Sequence, residues 1–553
     1  MKKLFLGLLV TAFILGIVSI YVLVAHTNLI ATPTYTMPED TRLVLDGQMK
    51  AYRGDIINND EGSFVNIDIL KDVLNLDMVW DTKNEIGVFY DGNKIFRFYS
   101  EELTIKVNQQ FVENKNTFLY KDGQAFINFD FIKEHSDYSY SYIEDTDILI
   151  IDKKGSIKRL AVAKNKARLR KKKSVWSEVE DIADIDEEVF IYDTEKEWSY
   201  ARTSRGLSGY VKNSDVDMKR LIHYDEEKEV KKEEEKSEKI NITWEFVYRT
   251  TPSANKLKEV QGLDVIAPTW FELQDEEGNL YDKGSKEYVK WAHGNNYKVW
   301  GVFNNAFNLE RTNKIVNDAK LREKVISKII DLALYYDLDG INIDFENVYL
   351  KDKDMFTQFI KELSPIAREN DLTLSIDVTI KSKSENWSMF YDREKLGELV
   401  DYVILMAYDE YPRGSKVSGS VASIPWVERG IKTLLDEVPN NKVILGVPFY
   451  NRIWKEEIVD GEIDVTPYAV SMERAEELLR KYNGEVKFDE NTNQYYGEYR
   501  VDGDLYKVWL ENEHSMKERI KLIKKYDLSG IASWRRGFEK EGIWSLISQN
   551  LND

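Results

Sequence analysis

From residue 240 to the end, short apolar runs alternate with amphipathic stretches, and this alternation limits the possible folds more than any other feature of the chain. Eight runs read as strands: Trp244 to Arg249, Asp264 to Thr269, Lys298 to Phe303, Gly340 to Phe345, Leu372 to Val378, Asp401 to Ala407, Lys442 to Val447 and Gly530 to Trp534. Helical stripes lie between them. Leu321, Val325, Ile329 and Leu332 mark one before the fourth run; Phe356, Phe359, Ile360 and Leu363 mark another after it. Eight strand–helix units make the arithmetic of an α/β (β/α)8 barrel, in which chemistry sits at the carboxyl ends of the strands.

The fourth run is the odd one. It reads Asp339-Gly340-Ile341-Asn342-Ile343-Asp344-Phe345-Glu346-Asn347. Alternate side chains of a strand face opposite ways. Ile341, Ile343 and Phe345 therefore pack against covering helices, and Asn342, Asp344 and Glu346 share the inner face. Polar groups there are costly unless partnered or used. Two carboxylates on one strand separate in pKa, one ionised and one held protonated, as acid catalysis on a sugar bond requires. The local pattern alone suits a polar strand end in a solvated cleft equally well.

The stretch resembles the signature of glycoside hydrolase family 18, Asp-x-x-Asp-x-Asp-x-Glu, with Asp339, Asn342, Asp344 and Glu346 at the four positions. Asn342 departs from the general pattern, which has Asp there; the branch of peptidoglycan and spore-cortex N-acetylglucosaminidases often carries Asn. Other strand ends are similar to the family too: Met406-Ala407-Tyr408-Asp409 on the sixth, Gly446-Val447-Pro448-Phe449-Tyr450 on the seventh, Ser533-Trp534 on the eighth. The resemblance covers residues 240–553. It implies Glu346 as general acid, Asp344 as the residue that orients the substrate's 2-acetamido group, and Tyr408 as its helper. Trp534 is implied as the floor under the sugar. Asn342, Asp339, Met406, Asp409 and Tyr450 are further substrate-binding candidates, with Tyr248 and Trp270 at the ends of the first two strands.

No second carboxylate is evident on a separate strand as a nucleophile. The resemblance instead implies substrate-assisted hydrolysis with retained configuration, needing no cofactor and no metal. Asn342 is expected to hold Asp344 by a fixed amide hydrogen bond. The implied partner is peptidoglycan, with a chitin-like glycan containing N-acetylglucosamine as the alternative, and a non-catalytic glycan-binding wall protein as the alternative of another class. Ala267-Pro268-Thr269-Trp270, Gly301-Val302-Phe303-Asn304-Asn305 and Tyr408-Asp409-Glu410-Tyr411 are similar to the spore-cortex and germination branch.

Composition narrows the rest. A net charge of -20 argues against a nucleic-acid partner, since phosphate binding needs a basic face. With no cysteine, disulfides and thiolate metal sites are excluded, and the five histidines form no ligand cluster.

The front of the chain reads as separate modules. Lys2 and Lys3 precede an uncharged run from Leu4 to Ala25 with a poor cleavage site. Residues 1–27 are expected to be an uncleaved signal anchor that keeps the lysines inside and places the rest outside the cytoplasm, with secretion after cleavage as the alternative. In residues 40–153, Phe64-Val65-Asn66-Ile67-Asp68-Ile69-Leu70-Lys71 returns as Phe126-Ile127-Asn128-Phe129-Asp130-Phe131-Ile132-Lys133. This looks like the small repeat at the front of copper amine oxidases; no ligand set accompanies it, so copper is not implied. Residues 157–218 resemble a bacterial Src-homology-3-like all-β barrel. Residues 222–239 are nearly all Glu, Lys and Asp and read as a charged linker.

Overall fold

The computed structural model describes residues 2–30, 42–51, 56–154, 157–223 and 238–552; the charged linker lies mostly outside them. Residues 240–552 form the expected barrel. Eight parallel strands close in chain order: Ile240–Glu245, Val265–Pro268, Lys298–Asn304, Gly340–Asp344, Thr373–Thr379, Tyr402–Met406, Val443–Pro448 and Gly530–Trp534, the last pairing back onto the first. Seven of these lie within two residues of the runs read from sequence. The first is shifted: it begins at Ile240 and ends at Glu245, leaving Phe246 to Arg249 in the loop above the barrel.

The fourth strand has the expected faces. Ile341, Ile343 and Phe345 are buried in the core between strands and helices. Phe345 stacks on Phe356 and Phe359 of the following helix, with ring centroids 5.5 and 5.7 Å apart. The barrel interior is filled by Trp244, Val265, Trp300, Val302, Ile404 and Ile444. At the strand's start only glycine fits: a Cβ on Gly340 would lie 2.6 Å from the carbonyl oxygen of Thr373. The motif strand and the fifth strand can therefore approach closely.

Between the seventh and eighth strands the chain builds a second sheet that the sequence reading does not separate from the barrel. Five antiparallel strands, Tyr450–Val459, Glu462–Ser471, Glu485–Asp489, Gln494–Val501 and Asp504–Leu510, carry the helix Met472–Lys481. The buried pair Arg519–Glu511, 2.6 Å apart, ties the end of this insertion to the helix that leads into the eighth strand.

The repeat in the front unit is a strand joined to a short helix. Gly62–Asn66 runs into Ile67–Asp72, and Gln124–Asn128 into Phe129–Glu134. Asn66 and Asn128 cap the two helices, each side chain accepting from the backbone N–H two residues on. Short polar side chains at this position satisfy helix N–H groups left without partners. The two repeat strands pair antiparallel, Val65 opposite Ile127. Residues 157–223 form a seven-stranded antiparallel sheet whose last strand, Val216–His223, runs past the expected boundary at 218. Among the described residues one helix, Lys2–Ile30, is long and apolar enough to cross a membrane by length and composition.

The front unit packs directly on the barrel. Arg97 reaches Glu362 at 3.0 Å, and Arg322 reaches the same carboxylate at 2.8 Å; all three are buried. Burial alone would push the Glu362 carboxyl up; Arg322 and Arg97 outweigh it and hold the group below its ordinary value. Asp81 accepts from the backbone N–H of Ala319 at 2.8 Å, at the start of the helix Ala319–Tyr336. That helix and Lys353–Glu369, which carries Glu362, flank the motif strand.

Candidate active site

The carboxyl ends of the strands open into a cleft of about 630 Å³, lined among others by Trp244, Asp344, Glu346, Asp377, Met406, Tyr408, Asp409, Tyr450 and Trp534. Seven of these nine, all but Trp244 and Asp377, were expected from sequence as site residues, and the barrel brings them together from the ends of the fourth, sixth, seventh and eighth strands.

Glu346 follows the fourth strand and is clasped through its backbone. The Asn305 side chain donates to its carbonyl at 2.8 Å and accepts from its N–H at 3.2 Å. Burial, with the charges of Asp344 and Asp409, holds the Glu346 carboxyl well above its ordinary value. Burial pushes Asp344 up to about 6, and its Oδ1 is buried with no hydrogen-bond donor. Tyr408 is raised by burial and by Asp377 and Asp344, so its phenol stays protonated. Tyr391, from the segment after the fifth strand, donates to the Phe345 carbonyl at 2.7 Å and fixes the backbone between the two acids.

Asp409 takes a left-handed backbone conformation, φ 65°. It accepts from the Tyr450 hydroxyl and, at 2.9 Å, from Arg452 of the inserted sheet. Arg452 also donates to the Tyr411 carbonyl at 2.5 Å. Trp534 meets Trp244 edge to face, centroids 5.9 Å apart, and Phe246 at 6.3 Å. Together they give the cleft an aromatic wall. Ala306 and Phe307 have φ of 52° and 54°, a costly conformation for such residues that clusters at working sites; Phe307 lines the cleft.

Three expected residues stand elsewhere. Asp339 precedes the fourth strand at its amino end, where it accepts from the Val299 N–H at 2.8 Å and meets His293 Nε2 at 2.9 Å. This is the barrel floor, remote from the strand ends that form the cleft. Trp270 is fully buried against Tyr288 and Phe271 and packs into the core. Its place at a strand end put it on the helix side. Tyr248 is exposed beside Phe246 and does not line the cleft.

Asn342 is buried and fully committed, but not to Asp344. Its Oδ1 accepts from Trp244 Nε1 at 3.0 Å; its Nδ2 donates to Ser375 Oγ at 3.0 Å and Asp377 Oδ1 at 2.9 Å. The expected amide bond to Asp344 is thus replaced by bonds across to the fifth strand. A carboxylate that the sequence reading did not single out, Asp377 of the fifth strand, is buried in the cleft. The signal was present, since Ser375 and Asp377 alternate with Leu374, Ile376 and Val378 as Asn342 and Asp344 alternate with isoleucines. Among the described residues no group of three or more His, Asp or Glu is arranged to hold a metal ion.

Buried acids with raised proton affinity, an aromatic wall and a phenol at the mouth of a parallel barrel define a site for acid-assisted bond cleavage. The profile of the glycosyl hydrolases family 18 matches residues 243–539, and the chain belongs to that family. It is a glycoside hydrolase. The chain is 27% identical to an uncharacterized glycosylase of Bacillus subtilis over 54% of its own length and 88% of the relative's. It is 26% identical to the cortical fragment-lytic enzyme of the same organism, over 46% of its own length and 59% of that protein's. The fold is also that of the spore cortex-lytic enzyme of Bacillus megaterium, with TM-score 0.52, 22% identity, and 60% of this chain and 77% of that one covered.

Proposed function

We propose that the protein is a retaining β-N-acetylglucosaminidase that cuts peptidoglycan after N-acetylglucosamine by substrate-assisted catalysis. One observation carries the reading: Glu346, its proton affinity raised by burial and by Asp344, stands in the same cleft as Asp344, Tyr408 and Trp534. A carboxyl kept protonated is a competent acid for a glycosidic oxygen. Glu346 donates its proton to the leaving oxygen as the glycosidic bond breaks. The carbonyl oxygen of the sugar's own acetamido group bonds to the anomeric carbon, giving an oxazolinium ion. Asp344, ionised, balances the positive charge; Tyr408 donates to the same group. Glu346 then takes a proton from water as the water oxygen bonds to the anomeric carbon, the bond from that carbon to the acetamido oxygen breaks, and both the acetamido group and the acid are regenerated.

The charged lining favours peptidoglycan over chitin. Arg413 and Arg535 lie on the cleft wall. A chitin chain is neutral and offers them no partner, whereas the lactyl and peptide carboxylates of a wall glycan do. The relatives named for cortex lysis support the same choice. The helix Lys2–Ile30 supports an extracytoplasmic enzyme held at the membrane, facing its wall substrate.

Digestion of purified peptidoglycan and chitin side by side, with the new reducing-end sugar identified by mass spectrometry, tests the reading. N-acetylglucosamine at the new end of peptidoglycan fragments is expected. Arg413→Ala with Arg535→Ala slows wall digestion and leaves neutral chito-oligosaccharides unaffected. Faster cleavage of chitin, indifferent to the arginines, makes the protein a chitinase. Binding of both glycans without cleavage makes it a wall-binding protein.

A further inference from the structure

We infer that Asp344 and Asp377 form a dyad holding one proton between them, with Asp377, on the fifth strand, in the place the signature gives to an aspartate at position 342. The role assigned to this dyad rests on the proposed acetamido chemistry.

The register puts the two side by side. The fourth and fifth strands pair in parallel with Asn342 opposite Ser375 and Ile343 opposite Ile376, so Asp344 and Asp377 come next on neighbouring strands. Both face the cleft; Asp377 is buried, and Asp344 is half-buried with its Oδ1 shut off from water. Two adjacent carboxylates in such a place cannot both ionise cheaply, and one proton shared between them removes the repulsion. Asp344 Oδ1, buried without a donor, is the atom such a proton serves. The other Asp377 oxygen is already taken, since Oδ1 accepts from Asn342. Asn342 is itself locked by Trp244 and Ser375, so its N–H fixes which Asp377 oxygen is left to carry the proton. Burial and the Asp344 charge raise the Asp377 carboxyl well above its ordinary value, in keeping with this placement.

Among the described residues no cation is seen to act on the pair, although Arg413 and Arg535 line the same cleft. From the fourth strand comes Glu346; from the sixth and the loop after it, Tyr408 and Asp409; from the segment after the fifth, Tyr391. Arg452 is engaged by Asp409. Asp377 is thus a positioning residue. With the proton on Asp377, Asp344 is ionised and hydrogen-bonded, and is ready to meet the positive charge of the oxazolinium ion. Glu346 alone exchanges a proton with the substrate and water, and the dyad ends each turnover with the single proton it began with.

Infrared spectroscopy of the full chain, with aspartate labelled at the side-chain carboxyl, reads the proton without any substrate. At neutral pH a protonated aspartate band is expected in the wild type and should vanish in Asp377→Asn. The same variant should lower kcat at least tenfold with KM changed by less than about threefold, and remove one ionisation from the pH profile. Adding Asn342→Asp, which returns a carboxyl beside Asp344 from its own strand, should restore the band and recover at least threefold in kcat. A band unchanged by Asp377→Asn overturns the dyad, as does a double variant no better than the single. Should Asp377→Asn fail to fold, a wild-type spectrum with no protonated aspartate at neutral pH overturns it equally. If the wild type cleaves no acetamido glycan yet shows the band, the proposed reaction fails and the dyad stands.

Discussion

Asp344 sits where a carboxylate is costly to charge. Its ordinary value of 3.8 rises to about 6 in the folded protein. Between those values the native state binds more protons than the unfolded chain, so stability falls as pH rises. The protonated group's contribution is fully present below the unfolded value and is lost as pH climbs through about 6. About two pH units correspond to a cost of roughly 3 kcal/mol at neutral pH. Asp344→Asn keeps the shape and removes the charge. It should raise the midpoint of thermal unfolding by a few degrees at neutral pH and by almost nothing near pH ~4. It should also lose nearly all activity, because the amide cannot balance a positive charge. Equal stability of the variant and the wild type at both pH values would show that Asp344 carries no such burden. The three polar positions of the motif were legible because parity alone sends them inward. Asp377 was missed because its strand has no signature, although it obeys the same parity. Trp270 was misplaced because an aromatic at a strand end serves the core as readily as the cleft, and only packing decides between them.

Whole strands and helices were easier to read than their partners. Seven barrel strands fell where alternating apolar runs placed them, since a strand buried on both faces leaves few other patterns. The first was misjudged because Trp244 to Arg249 is as apolar as the true strand, and its pairing with the eighth strand is invisible in sequence. The inserted sheet went unnoticed because its strands are largely polar and exposed, without the apolar runs that mark the barrel strands. The contact between the front unit and the helices flanking the motif strand could not be read at all. It rests on Arg97, Arg322 and Glu362, each unremarkable in its own segment, meeting out of water. Removing one partner of a buried ionic cluster costs about 3–5 kcal/mol, because a charge is left behind. Arg97→Ala should therefore lower stability in denaturant by about 3 kcal/mol, somewhat relieved by Arg322, whereas Lys115→Ala, whose partner Glu113 is exposed like itself, should change little. If Arg97→Ala is as mild as Lys115→Ala, the contact between the units is not holding the front unit in place.

At the scale of the molecule, the modules divide the labour. The barrel carries the chemistry, the inserted sheet lends Arg452 to the cleft, and the front unit braces the two helices on either side of the strand that bears Asp344 and Glu346. The barrel was legible because eight strand–helix units admit few closures. The brace was not, because a charged linker in the sequence suggested a barrel standing apart from what precedes it. The central claim is that the nucleophile belongs to the sugar and the protein supplies the acid and the counter-charge. Wild-type enzyme given matched glycans, one N-acetylated at the cleaved position and one de-N-acetylated there, tests it most directly. The account predicts turnover of the first and no detectable cleavage of the second, with both still bound. Comparable cleavage of the two would contradict it and require a nucleophile from the protein.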